Sequence, residues 1–235
     1  MIAPQFPPLL SGMELTDARD PMAVAITEAK RGCDAGLVVY NLGPDTVRAA
    51  IVFAPEVPLS AAIAMLPVCG VGFQNALGAL APPEVAVHLQ WDGGILLNGA
   101  RCGALRVAAS TTEQNREPDW LVISLSLSLI PAQSDTGLTP EETSLYAEGC
   151  GDIAASTLLE SWTKHTLVWI NRWSEEGAAP LHRNWEPLLH GIGEMYSTQS
   201  HSGTFIGVDE DFGMLLKSND ETLLIPLTTL LESTT

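Results

Sequence analysis

Residues 90–106, QWDGGILLNGARCGALR, restrict the fold more than any other part of the chain, because they read as strand, turn and strand. His88, Leu89 and Gln90 continue an alternation begun by Val85 and Val87, and Gly93-Gly94 interrupts it. Ile95, Leu96 and Leu97 resume it, and Asn98-Gly99 turns the chain into Arg101 and the residues that follow. An Asn-Gly pair between apolar runs supplies the positive φ values that a two-residue hairpin requires. The pattern therefore specifies an antiparallel pair of strands near the middle of the chain.

The rest of the chain arranges itself around that hairpin. Residues 1–12, with Pro4, Pro7 and Pro8, form an extended lead-in. Asp20 is a good N-cap and Pro21 suits the first helical position, so a helix is expected over 20–31. Two short strands, 37–40 and 47–53, are joined by the turn-rich Asn41-Leu42-Gly43-Pro44-Asp45. A long apolar helix is expected over 59–80, stopped by Pro82-Pro83, and further helices over 156–173 and 180–190. A Ser/Thr/Gly-rich linker, 197–203, then leads to four short strands. This order implies an α+β fold: a mixed sheet with helices packed on one side over residues 1–195, and a small C-terminal β-barrel over 200–235.

Charge excludes one class of partner. With 28 acidic against 11 basic residues, a formal charge of −17, the surface would repel a phosphate backbone, and no basic patch interleaved with aromatics is visible. Nucleic-acid binding is not expected, and the roughly twenty residues before the first helix are too few for a winged helix. No apolar stretch reads as a membrane span and the N-terminal residues lack the order of a signal peptide, so a cytoplasmic location is expected. Cys33, Cys69, Cys102 and Cys150 are too dispersed for a zinc site or a disulfide framework, and read as reduced thiols.

The hairpin resembles the signature of the biotin/lipoate protein ligase family, K-W-P-N-D-[IL]-L-[VL]-N-G-[RK]-K-[LIV]-[AG]-G. Trp91, Ile95, Leu96, Asn98, Gly99 and Gly103 stand where that motif has the same or equivalent residues. Arg101 stands at the position of the lysine that grips anionic substrates. Gln90 replaces the first lysine, Asp92 the proline, Gly93 the asparagine and Gly94 the aspartate. The resemblance continues in WLVISLSLSL (120–129), in Thr143-Ser144-Leu145, in the helix after 158, and in the C-terminal segment, so that most of the chain can be laid on the family in order.

The resemblance implies a ligand site built from Arg101, Trp91, Gly103, Ser124, Ser126 and Ser128. The three serines alternate, so they share one face of a strand; alone they could face solvent, but the family pattern turns that face toward the ligand. Arg101 could be a solvated strand residue or a two-pronged anion contact. Trp91 suits either core packing or ligand stacking. Arg106, five residues on, falls on the face opposite Arg101 unless a bulge at Gly103 rephases the strand. Cys102 reads as a small core hydrophobe, or as a nucleophile if Arg101 lowers its pKa.

One part of the family pattern is missing. Its members carry a Gly/Arg-rich loop, G-R-G-R-x-G-R, between the first two strands, where it offsets the repulsion between a carboxylate and the ATP α-phosphate. Here the same place holds a short turn with Pro44 and Asp45, and Arg48 is the sole arginine nearby. The implied function is thus a ligase-like protein with a degenerate adenylation site, binding a small carboxylate-bearing ligand or a biotinyl or lipoyl carrier protein. Two alternatives stay open: an active ATP-dependent biotin or lipoate ligase, and an acyl transferase that works without ATP. The ligands to consider are accordingly biotin, lipoate and ATP.

Overall fold

The computed structural model describes residues 3–131, 139–198, 201–219 and 221–233. Seven strands form the larger sheet: β1 (Ser11–Glu14), β2 (Leu37–Leu42), β3 (Thr46–Phe53), β4 (Val87–Leu89), β5 (Gly94–Leu97), β6 (Ala100–Ala109) and β7 (Leu121–Ser128). Their spatial order is β1-β2-β3-β7-β6-β5-β4, with β1 parallel to β2 and every other pair antiparallel. The sheet is therefore mixed, as the sequence implies. β1 lies in the segment expected to be extended lead-in; four residues with little apolar alternation do not advertise a strand, and Ser11 pairs with Leu37 only because β2 offers an open edge.

Helices cover both faces of this sheet, not the single face expected. On one side α1 (Pro21–Lys30), capped by the Asp20 carboxylate accepting from the Met22 N–H, lays Met22, Ala25 and Ala29 over Val39, Ala50, Val52, Ala108 and Val122. On the other side α3 (Met65–Gly78) and α4 (Ala155–Glu176) pack on Val47, Ala49, Ile51, Ile123, Leu125 and Leu127, and α5 (Ala178–Trp185) packs against those two helices. The cause is in the strands: 49–52 and 120–123 are apolar at consecutive positions, so both pleat faces must be buried there.

The long helix expected over 59–80 is divided into α2 (Leu59–Ala62) and α3. Pro67 has no N–H for the Ile63 carbonyl four residues back, and its ring crowds that oxygen. The Leu66 N–H turns to Ile63 instead, at 3.0 Å. The stretch Leu59–Gly78 has the length and apolarity to cross a membrane, yet most of it is buried within the fold. α3 and α4 touch at Gly72, where a Cβ would lie 2.7 Å from Thr166 Oγ1. Two indoles complete this interface: Trp162 Nε1 donates to the Cys69 carbonyl at 3.1 Å and Trp169 Nε1 to Asn75 Oδ1 at 2.8 Å.

A second sheet, antiparallel and ordered β11-β10-β9-β8, is made by β8 (Met195–Ser197), β9 (Ser202–Val208), β10 (Met214–Ser218) and β11 (Glu221–Ile225). Its inward residues Phe205, Val208, Met214, Leu216 and Ile225 join the same hydrophobic cluster as α3 to α5. The chain then returns to the large sheet, with the Glu232 N–H bonded to the Val107 carbonyl at 2.9 Å.

Trp162 has no exposed surface and sits at the centre of the α3/α4 contact. Trp162→Ala should therefore destabilise the fold by about 3–5 kcal/mol, the usual cost of removing a buried tryptophan. Chemical denaturation of the two proteins measures it, and a loss under about 1 kcal/mol would contradict this packing.

Candidate functional site

The site grows from the β5/β6 hairpin. Asn98 (φ 49°) and Gly99 (φ 93°) form the expected left-handed turn. The Asn98 side chain also ties the turn down: its Oδ1 accepts from the Ala86 N–H at 2.9 Å and its Nδ2 donates to Glu148 Oε2 at 2.7 Å. Beyond the turn, Leu96 pairs with Arg101 but Ile95 pairs with Gly103, so Cys102 is one residue in excess. The bulge occurs where Gly103 meets β7. A Cβ on Gly103 would collide with the Ser126 carbonyl oxygen, and this close approach explains the glycine.

The extra residue sets the phase of β6. Cys102 points into the core shared with Leu105 and Val107, whereas Arg101, Ala104 and Arg106 all border one cleft. The bulge thus brings Arg101 and Arg106 to the same side. Arg101 is also held by its backbone: its N–H donates to the Glu141 carbonyl at 2.7 Å, and its own carbonyl accepts from the Thr143 N–H at 2.9 Å. Thr143 belongs to the Thr-Ser-Leu turn singled out in the sequence.

The cleft has a volume of about 420 Å³. Gly103, Ser126 and Ser128 line it together with Arg101, and Thr139, Glu142 and Thr143 form its far wall. Of the six residues named as a ligand site, four therefore share one cavity. The other two lie elsewhere. Ser124 is on the same strand face, but α1 covers it, and its hydroxyl points to Met22 Sδ at 3.3 Å. Trp91 is buried, and its Nε1 donates to the Phe212 carbonyl at 2.9 Å, joining the hairpin to the second sheet.

Electrostatically the cleft is an exception on an acidic protein. Arg106 is matched, with Asp20 Oδ2 at 3.1 Å and Glu232 Oε1 at 3.4 Å. Arg101 is not: its one side-chain partner among the described residues is the neutral Gln90 carboxamide, at 3.3 Å. Gln90 fills the space beside Gly94, where a Cβ would run into its carboxamide oxygen. The positions where the family signature has lysine and aspartate thus carry an uncharged amide and an empty side-chain place. Arg48, paired across from Ser126, is a third cation on this strand face. Sequence reading noted it only as the arginine nearest the missing loop, because which β7 residue it opposes depends on sheet register.

Between β2 and β3 the chain makes a turn over residues 43–45, closed by the Gly43 N–H donating to the Thr46 carbonyl at 3.0 Å. The turn is fastened to the end of β7 by the Leu129 N–H, which donates to the Asp45 carbonyl at 2.7 Å. It lies beside Ser128 and contributes no residue to the cleft lining.

Cys102, although next to Arg101, has 1% of its surface exposed, and burial pushes its thiol up to about 12. Its Sγ lies 3.6 Å from the Ser128 carbonyl, which accepts the thiol hydrogen. Such a group stays protonated at physiological pH and makes a poor nucleophile.

The chain belongs to the biotin/lipoate A/B protein ligase family, whose model matches residues 6–187. A domain family of unknown function (DUF4444) matches residues 192–233. Among solved structures, the chain is similar to a biotin protein ligase-like protein of unknown function from Silicibacter sp. TM1040, with 59% identity, a TM-score of 0.92, and 98% of this chain and 100% of that one covered. It shares the fold of biotin protein ligase from Aquifex aeolicus in complex with biotin and ATP, at 14% identity, TM-score 0.71 and 92% and 95% coverage. It likewise shares that of the Leishmania major ligase in complex with biotinyl-5-AMP, at 16% identity, TM-score 0.60 and 92% and 99% coverage. No curated protein matches the chain.

Of the four free thiols, Cys33 alone is partly exposed. Alkylation with iodoacetamide at pH 8 should modify Cys33 first and reach Cys102 only on unfolding, as peptide mass analysis would record. Rapid labelling of Cys102 in the native protein would reinstate it as a nucleophile.

Proposed function

We propose that this protein uses the biotin/lipoate ligase fold to bind a small carboxylate-bearing acid and does not activate that acid by adenylation. The observation that carries the reading is Arg101: a guanidinium on a main chain held by two hydrogen bonds, bordering a cleft with Ser126 and Ser128, and lacking an acidic partner among the described residues. Arginine stays charged at every physiological pH and offers a planar fork that matches a carboxylate. Hydroxyls of Ser126 and Ser128 can donate further hydrogen bonds, and the apolar walls from Gly103 and Ala104 suit an aliphatic chain.

Adenylation demands more. A carboxylate and a triphosphate must meet, and cations with a closing loop must offset their repulsion and exclude water. The turn at 43–45 has one glycine and no arginine, and Gln90 and Gly94 supply neither the lysine nor the aspartate of the family signature. Acyl transfer through Cys102 is disfavoured by the buried, protonated thiol. The four free thiols accord with a reducing compartment, and we place the protein in the cytoplasm.

Titration calorimetry with biotin, lipoate and octanoate tests the binding. At least one should bind, and Arg101→Ala should weaken it by about 1.5–3 kcal/mol, the range for a charge-assisted contact. Thermal stability should stay within about 2 °C, because the side chain is exposed. Equal affinity in the variant would remove Arg101 from the site.

Pyrophosphate release with the same acids and magnesium-ATP tests the second half of the reading. Each missing electrostatic contact commonly costs about 10²- to 10³-fold, so turnover should fall far below the ordinary enzyme range of about 1 s⁻¹ and above. Turnover within that range would make the protein a working ligase.

A further inference from the structure

We infer that the cleft takes a dianion, with Arg48 holding the second anionic group; this rests on the anion-binding reading of Arg101. Residues directly opposed in antiparallel strands project to the same face. Asn41, Arg48, Ser126 and Ala104 are opposed in turn across β2, β3, β7 and β6, so Arg48 projects on the face that carries the cleft. Farther along that face, Ala50 and Val52 are packed under α1. Arg48 lies past that cover, as Ser126 does, and is half-buried.

Its hydrogen bonding is incomplete. One terminal nitrogen, Nη2, donates to Asn41 Oδ1 at 3.3 Å, and Asn41 is itself anchored by its Nδ2 to the Leu15 carbonyl at 2.7 Å. The Arg48 Nε is buried and has no acceptor. Buried N–H donors are nearly always satisfied, and this orphan, beside the cleft lining at Ser126, marks a guanidinium whose hydrogen bonding the fold leaves incomplete. No carboxylate among the described residues lies within ion-pair distance of Arg48. In a chain with 28 acidic and 11 basic residues, two guanidinium groups left unmatched on one sheet face are an unusual concentration of free positive charge.

Arg106 is a poorer candidate for the second contact, since Asp20 and Glu232 already neutralise it. Arg48 and Arg101 stand on β3 and β6, two strands apart, so their backbones are separated by about 10 Å laterally. Both side chains are long enough to lean over Ser126 and Ser128 from opposite sides. That arrangement suits one small acid with an anionic group at each end of an aliphatic chain, lying across the two serines, better than a monocarboxylate with one apolar end.

The experiment compares suberate with octanoate, which have the same carbon count and differ in the second carboxylate. Both are titrated calorimetrically at low ionic strength into the wild-type protein, Arg48→Met, which keeps an unbranched apolar stem, and Arg101→Ala. Suberate should bind about ten-fold tighter than octanoate, as one added charge-assisted contact implies. Arg48→Met should weaken suberate about ten-fold more than octanoate, whereas Arg101→Ala should weaken both. Arg48→Lys, with a cation but no Nε, gives a second measurement if Arg48→Met fails to fold, and should recover part of the preference for suberate. Equal binding of the two acids by the wild-type protein, or equal losses in the Arg48 variant, would overturn the dianion while leaving Arg101-dependent octanoate binding in place. Failure of both acids to bind would instead overturn the reading of the cleft on which the inference stands.

Discussion

β6 holds one residue more than β5 can pair with, and the composition of the cleft depends on where that residue goes. A regular strand alternates sides, so Arg101 and Arg106 would point apart. The excess falls at Cys102, whose thiol joins the core, and Gly103 permits it by bringing β6 against the Ser126 carbonyl. Below the bulge Leu105 and Val107 resume the core side while Ala104 and Arg106 border the cleft. With Cys102 and Gly103 replaced by a single residue, the phase of the remaining strand would invert, and apolar residues would face the cavity.

The double burial of the sheet governs how much of the serine face is available. α1 covers the upper part, so Ser124 is spent on a contact with Met22 and only Ser126 and Ser128 remain open. The far wall comes from residues 139–143, which pair with Arg101 through its backbone. The main chain at Arg101 is thereby held without help from the side chain, and the guanidinium, bonded only to the neutral Gln90 carboxamide among the described residues, keeps its charge available. On a protein with a formal charge of −17, that local arrangement matters more than net charge, because screening at physiological salt confines surface fields to about 8 Å.

The proposed loss of adenylation rests on few positions. The hairpin scaffold is present, including the Asn-Gly turn, the cation after it and the bulge glycine. What has changed are the groups that would manage a second polyanion: the β2/β3 connection is a tight turn, and Gln90 and Gly94 carry no charge. On the function proposed above, an anion site persists where a nucleotide site would need several more contacts.

Local pattern was sufficient for the hairpin and for the α1 cap at Asp20 and Pro21, because turn chemistry and capping act within a few residues. It also placed Ser126 and Ser128 on one face, since alternation is a property of any strand. Long-range register was not legible. That Arg48 opposes Ser126, that α1 takes Ser124 out of the cleft, and that Trp91 reaches the Phe212 carbonyl all depend on which segments meet across tens of residues. The break in the 59–78 helix was available in principle from Pro67, whose missing N–H is a local fact. The bulge occupies the boundary between the two kinds of information: the sequence alone supplies a glycine that can accept it, but only the pairing of β6 with both β5 and β7 decides that Cys102 is the residue left over, because the bulge is a mismatch between strands and has no meaning in one strand alone.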